Sequence, residues 1–300
     1  MNVGQRKGRS ISALCSLLGY SRQTFYQQSQ TAEAEVLGQD LIIQEVLRIR
    51  KRQKVLGTRK LLPMLQPFLE LHNMQIGRDA FFDLLASQRL LIRKRKRKVP
   101  KTTFSSHWYR KYPNLIMNMP VLKPNSVWVS DITYITLKDD FAYLSLVTDA
   151  YSRKITGYHL SKRLLAEGCV KALKMALKEV PDTDGLIHHS DRGCQYCSFE
   201  YVEQLQAHGI AISMTQNSDP SENAIAERVN GILKQEFLEN SYPTFALAKQ
   251  AIKEAVDIYN NERLHSSLDM LTPAQAQLRT GELKKHWKNY YKKKKEITMT

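Results

Sequence analysis

Hydrophobic positions change their period partway along the chain. Between Ser10 and Gln28, Ile11, Leu14, Leu17 and Leu18 recur at helical spacing before Gly19, and Ser21 is placed to cap a second helix opening at Arg22. This predicts two short helices around a tight turn, a helix-turn-helix or a plain helical hairpin. Leu41, Ile42, Val46 and Ile49 then form one stripe, followed by helical patterns over Thr58 to Leu71 and Arg78 to Leu90. Pro63 and Pro67 lie inside the middle pattern and predict a kink or break there, because each removes a donor. An unbroken basic run, Arg93 to Lys98, closes this half.

From Ser126 the pattern favours strands. Trp128 to Thr136 and Phe141 to Thr148 are rich in β-branched and aromatic residues and are separated by Lys138, Asp139 and Asp140, so they predict a hairpin. Lys154 to Leu160 adds a third strand after a turn at Tyr151 to Arg153, and Leu164 to Val180 a helix. A short strand at Gly185 to His189, a helix at Phe199 to His208, a strand at Ile210 to Met214 and helices over Ala224 to Glu239 and Phe245 to Asn261 complete the series. Three strands followed by alternating helices and strands define an α/β fold, a mixed sheet flanked by helices. That order is compatible with an RNase H-like core. The organisation expected is a helix-turn-helix-like segment over 1–36, a helical domain over 37–92, a basic linker over 93–120, the α/β core with C-terminal helices over 121–280 and a basic tail over 281–300.

Charge narrows the partners. Lys and Arg total 45 against 29 Asp and Glu, a formal net charge of +16 in 300 residues, which favours a polyanion. Nucleic acid is the leading candidate. Arg22 and Gln23 would then sit at the helix end that meets base edges in a helix-turn-helix, and Arg93, Arg95 and Arg97 would track the DNA backbone. The tail from Lys284 to Lys295, with Trp287, Tyr290 and Tyr291 among its lysines, could combine phosphate contact with stacking or be a solvated terminus. No apolar run approaches the roughly 20 residues of a spanning helix, and Met1 to Arg9 carries charge without an apolar signal core. A cytoplasmic protein is expected. Cys194 and Cys197 form a single CxxC with no second pair, so zinc is not expected.

Three carboxylates stand out. Asp131 interrupts an otherwise apolar strand, where a charge is costly without a partner such as a metal. Asp191 follows the short strand in His188-His-Ser-Asp-Arg-Gly-Cys-Gln-Tyr196, and Glu227 opens a helix in Ser221-Glu-Asn-Ala-Ile-Ala-Glu-Arg-Val-Asn-Gly-Ile-Leu-Lys234. Carboxylates converging at a sheet end suit a hard divalent cation and phosphoryl transfer. Each also has an ordinary explanation, as an edge residue, a turn residue or a helix-dipole partner. Asp139, Asp140 and Asp149 compete for the first role, although turns explain them more simply, and Glu222 and Glu236 compete for the third.

The blocks around these residues resemble the retroviral-integrase superfamily and, within it, the OrfB-type transposases of the insertion-sequence-three family. Thirty-five residues, 192 to 226, separate Asp191 from Glu227, the Asp-to-Glu spacing of that superfamily; Glu222 would leave 30. Trp-Val-Ser-Asp-Ile-Thr-Tyr at Trp128 to Tyr134, His-Ser-Asp-Arg-Gly-Cys-Gln-Tyr at His189 to Tyr196 and Glu-Asn-Ala at Glu222 to Ala224 carry the likeness. So do Tyr-Asn-Asn-Glu-Arg-Leu-His-Ser-Ser-Leu at Tyr259 to Leu268 and Thr-Pro-Ala at Thr272 to Ala274. The match runs from about Leu37 onward. Glu222 stands where the family usually has Asp, and Arg228 where Ser is common, which leaves substrate contacts at that helix start less defined.

The resemblance implies a DNA-binding role for the helical domain over 37–92, an RNase H-like integrase catalytic core over 121–280 and a DDE transposase that cuts DNA at element ends and transfers the freed strand. It implies two ions per site, Mg2+ with Mn2+ as a substitute, Asp131 bridging both, Asp191 holding one and Glu227 the other. It also implies double-stranded DNA as partner, both terminal inverted repeats and target, a homo-oligomer on DNA, a nucleoid-associated location, and an upstream helix-turn-helix product that could be fused by frameshifting. Asn223, Glu227, Asn230 and Lys234 fall on one helix face at spacings of four, three and four. Lys234 is thereby expected to reach DNA phosphates, with Asn223 and Asn230 beside it. His189, two residues before Asp191, could orient a carboxylate or contact DNA. His265 and Ser266 suggest no chemical role. The rival readings are another RNase H-like integrase or nuclease and a DNA-binding regulator without chemistry.

Overall fold

The computed structural model describes residues 11–92, 107–117, 119–216 and 220–286. The basic run bearing Arg93, Arg95 and Arg97 lies outside the described residues, as does the tail from residue 287. The described residues fall into two units, one within Met1–Lys51 and Gly57–Ile92, the other within Arg52–Leu56 and Arg93–Thr300. None of the described helices is long and apolar enough to cross a membrane.

The first unit is helical. Helix α1, Ile11–Leu18, ends at Gly19, whose positive φ of 73° a glycine adopts without strain. The Ser21 hydroxyl accepts the Thr24 amide at 3.0 Å and so caps α2, as its position in the sequence predicts. Helix α2 then runs from Arg22 to Arg52, 31 residues, where the sequence suggested a short second helix and a boundary near residue 36. Nothing between those residues breaks a helix except Gly38, which is tolerated. Arg22 and Gln23 lie exposed in its first turn.

Helix α3, Thr58–Leu71, contains both Pro63 and Pro67 without ending. Leu61, Leu65 and Leu69 form its buried stripe, and the prolines lie on the exposed face, where water can satisfy the carbonyls they free. The expected break therefore does not occur. Helix α4, Arg78–Ser87, packs beside α3 through Phe81, Leu84 and Leu85.

The second unit is built on a five-stranded sheet: β1, Val127–Thr136; β2, Phe141–Asp149; β3, Ile155–Ser161; β4, Ile187–Ser190; and β5, Ala211–Met214. Their spatial order is β3-β2-β1-β4-β5. The first three strands are antiparallel neighbours, whereas β4 and β5 run parallel to β1 and to each other. Around the sheet lie α5, Ala166–Glu179; α6, Phe199–Ala207; α7, Ala224–Ile232; α8, Phe245–Asn261; and the short α9, Pro273–Ala276. A 3-10 turn at Pro220–Asn223 leads into α7, and a π-helical turn at Leu233–Phe237 follows it. The sequence suggested one continuous helix from Ala224 to Glu239.

Strand alternation sorts β1 between two cores. Trp128 joins α5 and α6 residues such as Leu173 and Tyr201, whereas Val127 and Val129 pack with Ala226 of α7, and Ile135 with Val229 and Ile232. Gly157 lets β3 and α5 approach closely, because a Cβ there would lie 2.1 Å from the Ala172 carbonyl oxygen. The signatures after the core also have structural tasks. Asn260 on α8 accepts from the Ile155 amide and donates to its carbonyl, both at 3.0 Å, satisfying the sheet's outer strand. Thr272 and Gln275 form a capping box with Pro273 at the first helical position of α9.

Candidate active site

Asp131 and Asp191 are brought together by strand register. Val127 pairs with Ile187, Trp128 with His188 and Val129 with His189 across the parallel β1–β4 ladder, so Asp131 stands level with Asp191 just beyond the end of β4. Odd-numbered positions of β1 face α7, and by alternation Asp131 shares that face with Val129 and Thr133. Asp131 is half-buried, with Oδ1 accepting its neighbour Ile132 N–H at 2.8 Å. The Asp191 carboxylate accepts the Gly193 amide at 3.0 Å, a local turn that fixes its direction. Both line a concave pocket with Thr133, Tyr143, Leu164 and Gln195.

The helix side is assembled by side chains. Asn223 Nδ2 donates to the Ser130 carbonyl at 3.0 Å, Asn230 Nδ2 to Asp131 Oδ2 at 2.8 Å, and Lys234 Nζ to Thr133 Oγ1 at 2.8 Å. One helix face thus lies along β1, the grouping its spacing predicts. Asn223 and Asn230 are buried in these contacts and Lys234 is half-buried. Their contacts run to the strand, where DNA contact was expected from sequence. Glu227, on the same face in the first turn of α7, is exposed.

Electrostatics couples the three carboxylates. Burial, then the like charge of Asp191, pushes Asp131 up to about 7; the Asn230 and Ile132 hydrogen bonds oppose this, and Glu227 adds a smaller push. Ionised together, they repel one another, an arrangement that a bound cation would relieve. Hard oxygen donors suit a magnesium-like ion. Among the described residues, no three His, Cys, Asp or Glu side chains are yet arranged closely enough to hold a metal ion.

The competing carboxylates have other employment. Asp149 is buried and accepts the Asn125 and Ser152 amides, both at 2.7 Å, while Asp139 and Asp140 occupy the β1–β2 turn. Glu222 accepts from Asn114 at 3.3 Å. Glu236 holds Arg263 in a bidentate pair at 2.7 and 2.6 Å.

His189 is shut away from solvent and spends both ring nitrogens on partners other than the Asp191 carboxylate. It is fully buried, its Nδ1 bonded to Ser213 Oγ at 2.8 Å and its Nε2 to the Glu222 carbonyl at 3.1 Å, so it ties the sheet to the start of α7. His188, on the opposite face, bonds Ser130 Oγ at 2.8 Å and the Tyr201 hydroxyl at 2.9 Å. Sequence reasoning missed it, although two consecutive histidines on a strand must face opposite ways.

It also missed Arg263, only 1% exposed. Arg263 clamps Glu236 in the π turn and donates to His265 at 3.0 Å, while His265 packs edge-on against Tyr259 at 5.1 Å. This gives the His265 signature a structural purpose. An acidic residue nine positions past Glu227 and an arginine just after the α8 pattern were the available signals.

A mixed sheet in this order, with two carboxylates level on adjacent parallel strands and a third on the helix across them, defines an RNase H-like enzyme core of the integrase class. Residues 122–220 match the family described as Integrase core domain, and residues 208–273 match a second family with the same description. The chain is 34% identical over 267 residues to a Shigella sonnei protein described as an uncharacterized 31 kDa protein of insertion element IS600, covering 87% of this chain and 96% of that one. It is 28% identical over 280 residues to the Shigella sonnei transposase for insertion sequence element IS629, covering 91% and 93%. A solved HTLV-2 integrase catalytic core domain in complex with magnesium aligns with 52% of this chain and 98% of its own at 22% identity and a TM-score of 0.42. The chain belongs to the insertion-sequence-three family of DDE transposases, polynucleotidyl transferases of DNA transposition and integration.

Proposed function

We propose that Asp131, Asp191 and Glu227 are the catalytic carboxylates and together hold two divalent ions, Mg2+ with Mn2+ as a substitute. What supports this most directly is the β1–β4 register, which sets two carboxylates side by side, together with Asn230, which links one of them to the helix bearing the third. When bound, the ions supply the Lewis acidity that activates the attacking oxygen and stabilises the leaving one. The protein's own residues do the positioning. The sheet fixes Asp131 and Asp191, Asn230 orients one Asp131 oxygen, and Asn223 and His189 set the start of α7 against the strand.

Strand cleavage at an element end frees a 3′-hydroxyl, which then attacks target DNA. Lys234, half-buried beside Thr133, is the basic group of this face placed to exchange its hydroxyl partner for a DNA phosphate. Arg22 and Gln23, exposed at the start of α2, are proposed for end recognition, and Arg93, Arg95 and Arg97 for backbone contact. Two DNA ends imply an assembly of more than one copy.

The test is purified protein on terminal-repeat DNA with Mg2+, with and without any upstream helix-turn-helix product. Asp131→Asn, Asp191→Asn and Glu227→Gln should each abolish cleavage and joining while leaving DNA binding intact. Strand transfer retained in any of them defeats the assignment for that residue.

A further inference from the structure

We propose that Trp108 is a stacking site for an unpaired DNA base, beside the carboxylates but separate from them. This rests on the DNA chemistry proposed above and extends it to the path of a strand end. Trp108 is 88% exposed, the most exposed of the large hydrophobic side chains in the described residues. Its ring stacks on Tyr109 with centroids 4.5 Å apart and planes 29° from parallel, so the indole rests on a second ring. Tyr109 and Tyr112 turn inward against the sheet core, and the His107 ring packs edge-on against Tyr109 at 5.4 Å.

The segment is fastened at several points. His107 Nε2 bonds the carbonyl of Arg192, the residue after Asp191, at 2.8 Å. The Met214 amide donates to the Pro113 carbonyl at 3.2 Å, the Leu115 amide to Ser213 Oγ at 2.9 Å, and Asn114 to Glu222. Trp108 is therefore presented to solvent by a strip anchored both to the Asp191 turn and to the approach to α7.

Its surroundings select the ligand. Arg110 and Lys111 follow directly, both exposed, with the Arg110 guanidinium 5.1 Å from the Tyr112 ring centroid. An aromatic face flanked by cations matches a base and its phosphates, the pairing used wherever single strands are gripped without sequence reading. A duplex base has both faces covered by its neighbours, so the base that fits is an unpaired one at a frayed or cleaved end.

The test compares full-length protein binding to a duplex with a short single-stranded overhang and to its blunt counterpart, with 2-aminopurine in the overhang. Wild type is expected to quench the probe on binding. Trp108→Ala should lose the quench and bind the overhang duplex about 5- to 100-fold more weakly, with the blunt duplex unchanged and Trp108→Phe keeping most of the affinity. Equal losses on both duplexes, or none on either, would overturn the stacking site. Asp131→Asn separates the two proposals. If it is inactive while Trp108→Ala binds as wild type does, the stacking site alone fails. If it still cuts and joins DNA while Trp108→Ala loses the overhang, the carboxylate assignment fails and the stacking site stands.

Discussion

Two of the three carboxylates are held by the sheet, and the third is carried by a helix. Asp131 and Asp191 owe their nearness to a backbone ladder, which no single side-chain change removes. Glu227 owes its place to side chains: the apolar packing of Ala226, Val229 and Ile232 on β1 and the hydrogen bonds of Asn223 to Ser130, Asn230 to Asp131, Lys234 to Thr133 and His189 to the Glu222 carbonyl. Beyond α7, the π turn is pinned by the Glu236–Arg263 pair. The sheet half is thus set by backbone pairing, whereas the helix half rests on side chains that substitution can change. A π turn in the helix next to the site fits that division, since such turns occur often at functional positions.

The largest effects should come from the three carboxylates themselves, whichever half carries them. Asp131→Asn, Asp191→Asn or Glu227→Gln is expected to lower strand transfer to background, a drop of at least roughly 10²- to 10³-fold, as when one preorganised electrostatic group is removed from a reaction centre. Stability should move the other way for Asp131→Asn, because burial and repulsion already disfavour its charge. A variant that is inactive and also less stable at pH 8 would contradict this. Next comes Arg263→Ala, which leaves Glu236 without its buried partner. Unfolding free energy measured in urea should fall by about 3–5 kcal/mol. If the π turn sets the helix half, strand transfer should fall further in this variant at temperatures where it remains folded. Activity per folded molecule equal to wild type would show that the turn is not part of the site's support.

The division also explains what the sequence could disclose. Period-two alternation and the apolar setting of Asp131 made β1 legible, and the 35-residue spacing with its flanking blocks is what proposes Asp191 and Glu227 as partners. The face shared by Asn223, Glu227, Asn230 and Lys234 follows from helical spacing, but spacing does not say what lies opposite. Only the packed sheet shows that Asn223 and Asn230 are buried against β1. The α3 prolines misled because their cost depends on which face they occupy. Arg263 was invisible for a related reason: its partner Glu236 lies 27 residues away and meets it only through tertiary packing.

A smaller effect tests the link between the halves. Asn230→Leu removes the amide that orients Asp131 while keeping a similar volume, and should reduce strand transfer by about 10- to 100-fold, the usual cost of a group that supports a ligand from behind. Asn230→Gln should recover little, because its longer stem misplaces the donor. Loss of folding in both variants would be visible by circular dichroism and would move Asn230 from orienting Asp131 to holding the core.

The smallest effect per step is in pH dependence, and it has opposite signs on the two faces of the sheet. Burial holds His188 neutral, with its pKa brought down to about 3 from 6.5, so the unfolded chain binds a proton that the folded chain refuses between those values. Its contribution to stability is intact above pH 6.5 and is lost as pH falls toward 3. Asp131 behaves inversely. Its folded pKa of about 7 exceeds the ordinary 3.8, so metal-free protein loses stability from this group as pH rises from 4 to 7. Each group changes the slope by up to about 1.4 kcal/mol per pH unit. Relative to wild type, His188→Gln should therefore gain stability toward acid, and Asp131→Asn toward neutral pH. Urea denaturation of both variants at pH 4.5, 5.5 and 6.5 without metal measures the two slopes, and slopes of the same sign would show that burial and the neighbouring carboxylates together do not raise the Asp131 pKa.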